Sequence, residues 1–241
     1  MRTTLNRRYT MGLIAALPLL VTLPAVAAEE QAELLLYRVQ SPGEEPYFNR
    51  LLVNPVFLRL DRGGEDSGYI LYDRQQQVIY SVNHEEHSIL VIDPPPMTDD
   101  LSARMPEIEL KSVTPVSAPS VSGVKPQQWV LTSDGQRCRE AFVLPGLMPK
   151  AVAAYGEYLK VLAQQQALAL STMPAEFQDA CDQAVHVYAP DSLLQKGLPL
   201  NIWNGKGYRE VLIDFREGFQ VSEADFELPT DYSRMPMGSG F

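Results

Sequence analysis

The chain has 241 residues, of which 45% are hydrophobic and 21% are charged, and its formal net charge is −10 at pH 7. This is the composition of a globular protein with enough apolar residues to bury a core. The acidic excess repels phosphate backbones and anionic headgroups, so we expect neither nucleic-acid binding nor electrostatic docking on a membrane.

The first 28 residues have the pattern of a secretory signal peptide. Three arginines precede an apolar run over residues 11–26, and small residues follow it. A basic start, a short apolar stretch and an Ala-x-Ala site are the features of a cleavable signal. Pro18 and Pro24 and the shortness of the run argue against a membrane anchor, which needs about 20 apolar residues. We therefore expect cleavage after Ala27 or Ala28, export to the periplasm and no stable membrane insertion.

Runs rich in β-branched and aromatic residues follow along the mature chain. Residues 32–39 predict an opening strand, and residues 47–60 predict a longer extended run. Pro55 must break or bulge this run, because proline cannot donate to a sheet ladder. In residues 68–92, three such runs are separated by two polar turns, which predicts an antiparallel meander.

Two hairpins are predicted later in the chain. Residues 127–132 and Gln136–Leu144 flank an Asp-Gly step, and Leu198–Trp203 and residues 208–215 flank Asn-Gly-Lys-Gly. Both connections are sequences that favour tight hairpin turns.

Between these hairpins the sequence becomes helical. Apolar residues within residues 147–170 recur at steps of four and three, which predicts a helix with one apolar face. That face comprises Met148, Val152, Tyr155, Leu159 and Leu162. A second helix is predicted over residues 175–188, and its apolar face comprises Phe177, Cys181, Ala184 and Val185.

Cys138 and Cys181 are the two cysteines of the chain. In an oxidising compartment a single pair favours a disulfide, which here clamps the second helix to the sheet. For a separation of 43 positions, the chain-entropy model gives about 4 kcal/mol of stabilisation. The alternative is a cysteine nucleophile with His186 as its base, although no neighbouring residue marks either thiol as activated.

The order of elements resembles that of the periplasmic lipoprotein-carrier superfamily, the LolA/LolB-like half-barrels. The residues that carry this likeness are Arg59-Leu60-Asp61, residues 68–74 followed by Ile79-Tyr80, Cys138 on a late strand, and residues 226–232. The likeness spans most of the mature chain. It implies an α+β fold in which a curved antiparallel sheet, the half-barrel, is covered by a late-inserted helical pair that acts as a lid. One domain would span residues 29–232, followed by a flexible tail over residues 233–241.

Members of that superfamily with a known role hold an acyl chain between sheet and helices. Ten residues are therefore candidates to line a hydrophobic cavity: Tyr69, Leu71, Ile79, Val91, Trp129, Trp203 and Phe215 on strands, and Met148, Tyr155 and Leu159 on the first helix. The alternative is that they fill an ordinary core, because apolar side chains mostly lie inside.

The His84-Glu85-Glu86-His87 segment has metal-ligand residue types. It falls in a hairpin turn, without the helical scaffold of a zinc-protease motif and without an evident third ligand, so we expect a solvated turn and neither metal nor cofactor. No nucleophile elbow, phosphate loop or dinucleotide fingerprint occurs, and we do not expect an enzyme.

Three functions remain open at this level. The first is an exported binding protein for a lipid, acyl chain or other hydrophobic ligand, with a role in lipid or lipoprotein traffic within the envelope. The second is an interaction protein with a protein partner in the cell envelope and no small ligand. The third is a hydrolase of unknown class.

Overall fold

The computed structural model describes residues 29–64, 68–94, 105–113, 118–174 and 177–237. The predicted signal peptide, residues 1–28, lies outside these ranges. Within them, no helix combines the length and the apolar character needed to cross a membrane.

The described residues form one curved, mixed sheet. Its strands are β1 (Glu29–Gln40), β2 (Tyr47–Val53), β3 (Phe57–Asp61), β4 (Tyr69–Asp73), β5 (Val78–Asn83), β6 (Ser88–Ile92), β7 (Ile108–Val113), β8 (Gln127–Ser133), β9 (Gln136–Leu144), β10 (Leu198–Trp203), β11 (Arg209–Ser222) and β12 (Ser233–Pro236). Their spatial order is β12-β6-β5-β4-β3-β2-β1-β11-β10-β9-β8-β7. Neighbours are antiparallel except for β12, which runs parallel to β6. The sheet does not close, and its two edges are β12 and β7.

Two helices follow β9. The first, α1, spans Pro149–Thr172, and the second, α2, spans Ala180–Gln183 and continues as a π-helical turn over Ala184–Tyr188. The expected α+β class with a curved sheet is therefore observed. The predicted second helix is shorter than expected, because the Asp179 side chain accepts a hydrogen bond from the Asp182 backbone and so sets the start of α2.

The predicted strands agree closely with those observed. The meander of residues 68–92 is β4, β5 and β6, and the two predicted hairpins are β8–β9 and β10–β11. Pro55 breaks its run as expected: the Asn54 side chain accepts hydrogen bonds from the backbone of Val56 at 2.9 Å and of Phe57 at 2.6 Å, which closes the β2–β3 turn.

The sheet has two covered faces. Its inner face packs against α1 and holds the fully buried Leu35, Tyr37, Leu58 and Tyr72. Because side chains alternate along a strand, the intervening residues form the outer face. The outer cluster comprises Ala32, Leu34, Leu52, Tyr69, Leu71, Val82, Ile89, Val221 and Phe226.

The C-terminal segment covers this outer face. Arg59 donates from Nη1 to the Asp225 carbonyl at 2.7 Å, and the ring of Tyr232 lies 5.0 Å from that of His87. Residues 233–236, which the sequence analysis assigned to a flexible tail, instead form β12, since the backbone N–H of Ser233 donates to the His87 carbonyl at 3.0 Å. Residues 238–241 lie outside the described ranges.

The disulfide between Cys138 and Cys181 is present, with a Cα–Cα distance of 4.9 Å. It joins β9 to α2 as predicted, and Cys181 and Val185 are buried against Leu131. Phe177 does not share this inward face, because it precedes α2 and its side chain is 71% exposed.

Candidate functional site

The structure divides the ten predicted lining residues among separate surroundings. Ile79, Met148, Tyr155 and Phe215 meet in the cluster between the inner face and α1. Tyr69, Leu71 and Val91 lie on the outer face. Trp129 packs with Ala141 and Leu193 further along the inner face, and Trp203 lies 5.3 Å from Phe142. Leu159 is partly buried but is not part of any of these clusters. They do not face one common space, because Ile79 points to the inner face of the sheet, whereas Tyr69 and Leu71 point to the outer face.

The space between α1 and the inner face is filled by side chains. Met148, which directly precedes α1, and Ala151, Ala154 and Val161 on α1 are at most 3% exposed. Small alanine side chains let the helix lie close to the sheet, and the partly buried Tyr155, with Val152, Tyr158 and Leu162, completes the contact. This region has the character of a packed core.

A groove lies on the other side of α1, between its C-terminal part and the segment 177–187. Its volume is about 430 Å³, and its apolar wall includes Leu170, Met173, Phe177 and Val187. Met173 and Phe177 are 41% and 71% exposed. We call this the α1–α2 groove. Gln166, which also lines it, has a buried side-chain carbonyl oxygen with no hydrogen-bond partner among the described residues.

The wall of this groove is held in place by polar contacts. Gln178 donates from Nε2 to the Met173 carbonyl at 2.7 Å and accepts from Gln183 at 3.3 Å. The Lys206 ammonium lies 3.0 Å from the Asp179 carboxylate, which ties the start of α2 to the β10–β11 turn. The groove is thus built on fixed elements, although Phe177 at its edge remains exposed.

A second, smaller pocket lies beside the disulfide. It encloses about 250 Å³ between the start of β9, the α2 segment and the β10–β11 turn. Its ionisable lining residues are Arg137, Arg139, Asp182, His186 and Lys206. His186 is an exposed residue; partial desolvation of its ring and, second, the positive charge of Arg139 lower the pKa of His186. We call this the disulfide pocket.

A group of ionisable side chains is buried near this pocket, around Glu210 on β11. The Tyr208 hydroxyl donates to Glu210 Oε2 at 2.8 Å. Burial raises the pKa of Glu210 above its usual value, against the opposing effects of the Tyr208 hydrogen bond and of Arg139. Burial, followed by the charge of Glu210, raises the pKa of Tyr155 and of Tyr37. The sequence does not reveal this group, because the pairing of β1 with β11 and the packing of α1 on the inner face bring its members together.

The His84–His87 turn has a structural role. His84 Nδ1 lies 2.9 Å from the Tyr232 hydroxyl, and both imidazoles contact the Tyr232 ring. In the part of the chain that the structure describes, no group of three or more potential ligands is placed to hold a metal ion. Likewise Cys138 is bonded to Cys181 and is not a free nucleophile for His186 to activate.

Comparisons with known proteins leave the family open. No family model matches the sequence, and no curated protein matches it. Among solved structures, two crystal forms of PNGF-II are similar over 86% of this chain, at 8% identity, with TM-scores of 0.39 and 0.38. The chain spans 31% and 32% of those two chains.

Proposed function

We propose that this protein is an exported, periplasmic binding protein for an acyl chain or a similar hydrophobic ligand, and that the ligand lies in the α1–α2 groove. The observation that carries this proposal is the apolar groove of about 430 Å³ with Phe177 and Met173 exposed at its edge. Apolar side chains exposed in a concave site mark ligand sites, and about 300–1,000 Å³ is the usual volume of such sites.

This location differs from the cavity that the carrier superfamily implies. Met148, Ala151 and Ala154 pack between α1 and the inner face of the sheet, and they leave little room there for the chain of a ligand. In our proposal the helical pair holds the ligand between α1 and the α2 segment, and it is not a lid that closes over the sheet.

Export is supported by two independent features. Residues 1–28 have the signal-peptide pattern, and the Cys138–Cys181 disulfide is consistent with an oxidising compartment. A periplasmic protein that binds an acyl chain would protect it from water between the membranes.

The test is displacement of a fluorescent fatty acid from the full mature chain and from a matched pair of variants. Ala169 lines the groove, whereas Ala153 is an exposed residue of the same helix that does not line it. Ala169→Trp should fill the groove and weaken binding by about ten-fold or more, the effect of roughly 1.4 kcal/mol, with an unchanged Tm. Ala153→Trp should bind like the wild type.

Two results would overturn the proposal. If the wild-type chain binds no hydrophobic probe, the interaction protein of the cell envelope without a small ligand takes its place. If Leu159→Trp abolishes binding without unfolding the chain and Ala169→Trp does not, the ligand lies on the sheet side of α1 and the groove assignment is wrong.

A further inference from the structure

The disulfide pocket is cationic in a chain with a net charge of −10. Of its lining residues, Arg137, Arg139 and Lys206 are positive and Asp182 is negative. A concentration of positive charge in an acidic protein attracts an anionic group selectively, because the rest of the surface repels it.

The three cations differ in how far they are already neutralised. Arg137 lies 3.3 Å from a Glu140 carboxylate oxygen, and Lys206 lies 3.0 Å from Asp179 and 3.8 Å from Asp182. The Arg139 guanidinium has no hydrogen-bonded acceptor within the described ranges, although its charge also acts on the buried Glu210 carboxyl. Its charge lies 5.8 Å from the centre of the Tyr208 ring.

Arg139 is therefore the residue best placed to receive an anion. It is partly buried on β9, so its charge is screened less than that of a fully exposed arginine. A guanidinium presents parallel N–H donors that match the two oxygens of a carboxylate or phosphate. Lys206 lies across the same pocket, and its charge there is shared with Asp179 and Asp182.

The disulfide pocket and the α1–α2 groove share two wall residues. Asp182 and His186, four residues apart on the α2 segment, line both of them. These two residues form the ridge between the two sites. A ligand whose chain occupies the groove thus needs to pass only this ridge for its end to reach Arg139. The negative charge of Asp182 on the ridge is offset by Lys206 at 3.8 Å.

We propose that the disulfide pocket binds the anionic end of the ligand whose chain lies in the groove, so that the ligand class is a single-chain amphiphile with a carboxylate or phosphate head. This inference rests on the proposed function of the groove. It assigns Arg139 the main contact with the head and Lys206 a supporting one.

The experiment compares laurate, dodecanol and inorganic phosphate as competitors of a fluorescent fatty acid, all below the concentrations at which they form micelles. On the wild-type chain, laurate should bind about ten-fold tighter than dodecanol, as expected for one charge-assisted contact. Raising the salt concentration should weaken laurate and leave dodecanol unchanged.

The variant arm uses Arg139→Gln with Arg38→Gln as its matched control, since Arg38 is an exposed arginine on β1 that does not line either site. Arg139→Gln should lower the affinity for laurate about ten-fold, to that of dodecanol, whereas Arg38→Gln should keep the preference. The circular dichroism spectrum of Arg139→Gln, compared with that of the wild type, shows whether the variant is folded.

Each other outcome overturns a distinct claim. If wild-type protein binds laurate and dodecanol equally, the head pocket is wrong and the groove stands. If phosphate alone binds at Arg139 and does not affect laurate binding, the pocket is a free-anion site and the amphiphile assignment is wrong. If no competitor displaces the probe, both the groove and the head pocket fail.

Discussion

The Tyr69 hydroxyl donates a hydrogen bond of 2.7 Å to the main-chain carbonyl of Glu227, 158 residues further along the chain. The guanidinium of Arg59 stacks 3.9 Å from the centre of the Tyr69 ring and also donates to the Asp225 carbonyl. Two neighbouring strands thus bind the backbone of the C-terminal segment. Three of the segments that carry the family resemblance meet here: 59–61, 68–74 and 226–232. Their role in this chain is to hold the C-terminal segment against the outer face of the sheet.

Tyr69→Phe should remove the hydrogen bond to the Glu227 carbonyl and lower the free energy of unfolding by about 1 kcal/mol. The loss is limited to this bond, because the phenylalanine ring still fills the place of the tyrosine ring. Tyr80→Phe is the matched control, since Tyr80 packs on the same face and its hydroxyl has no hydrogen bond among the described residues. Urea unfolding of both variants measures the difference. Equal losses in the two variants would show that the Glu227 contact contributes nothing.

Asp61 organises the other side of Arg59. Its side chain is 1% exposed and accepts hydrogen bonds from Arg50 at 2.7 and 2.8 Å and from Arg59 at 2.7 Å. Burial alone would raise the pKa of Asp61, but the hydrogen bonds and charges of the two arginines outweigh it and lower this pKa. The ionised form is therefore the one that the folded chain stabilises.

Asp61→Asn should cost about 3 kcal/mol of stability at pH 7, the usual effect of removing one partner from a buried ion pair. A lowered folded-state pKa contributes stability that is present above the unfolded value, about 3.9, and is lost as the pH falls towards the folded value. The difference between wild type and variant should thus shrink from pH 7 to pH 3. A constant difference in chemical denaturation at these two pH values would contradict the ionised role of Asp61.

Local patterns predicted the strands well, because most strands pair with the strand that precedes or follows them in the sequence. Turn residues placed the meander and both hairpins, and Pro55 marked the β2–β3 turn. Gly68 illustrates a requirement that only the sheet reveals: a Cβ there would lie 2.2 Å from the Val82 carbonyl oxygen. Only glycine allows these two strands to approach so closely.

Features that depend on distant partners were not predictable. The buried Glu33 on β1 accepts a hydrogen bond from the Ala151 backbone at 2.8 Å and so caps the start of α1 across 118 positions. The same limit applies to the candidate site. Apolar composition identified Met148 and Tyr155 as inward residues, but it did not separate the two faces of the sheet or show that the open groove lies on the other side of α1.

The Cys138–Cys181 bond should be the main constraint on the α2 segment. Replacing both cysteines by serine should lower the free energy of unfolding by about 2–4 kcal/mol, because the unfolded chain regains the freedom that the cross-link removes. Arg137→Ser, a change to an exposed residue beside Cys138, controls for local disturbance of β9. Thermal unfolding with and without reductant provides the measurement, and the double variant should not respond to reductant. A wild-type Tm that is insensitive to full reduction would contradict this prediction.

Glu210 should make the folded chain less stable as the pH rises. Because burial raises the pKa of Glu210 in the folded chain, its contribution to stability is complete below the unfolded value of about 4.3 and is lost as the pH rises through the folded value. Glu210→Gln has no charge to bury and can still accept from Tyr208. Its Tm relative to that of the wild type should therefore increase from pH 4.5 to pH 7.5. Glu217→Gln, an exposed position on the same strand, should show no such trend. If the Glu210→Gln difference falls with rising pH instead, the carboxylate is stabilised in the folded chain and Arg139, not burial, controls its charge.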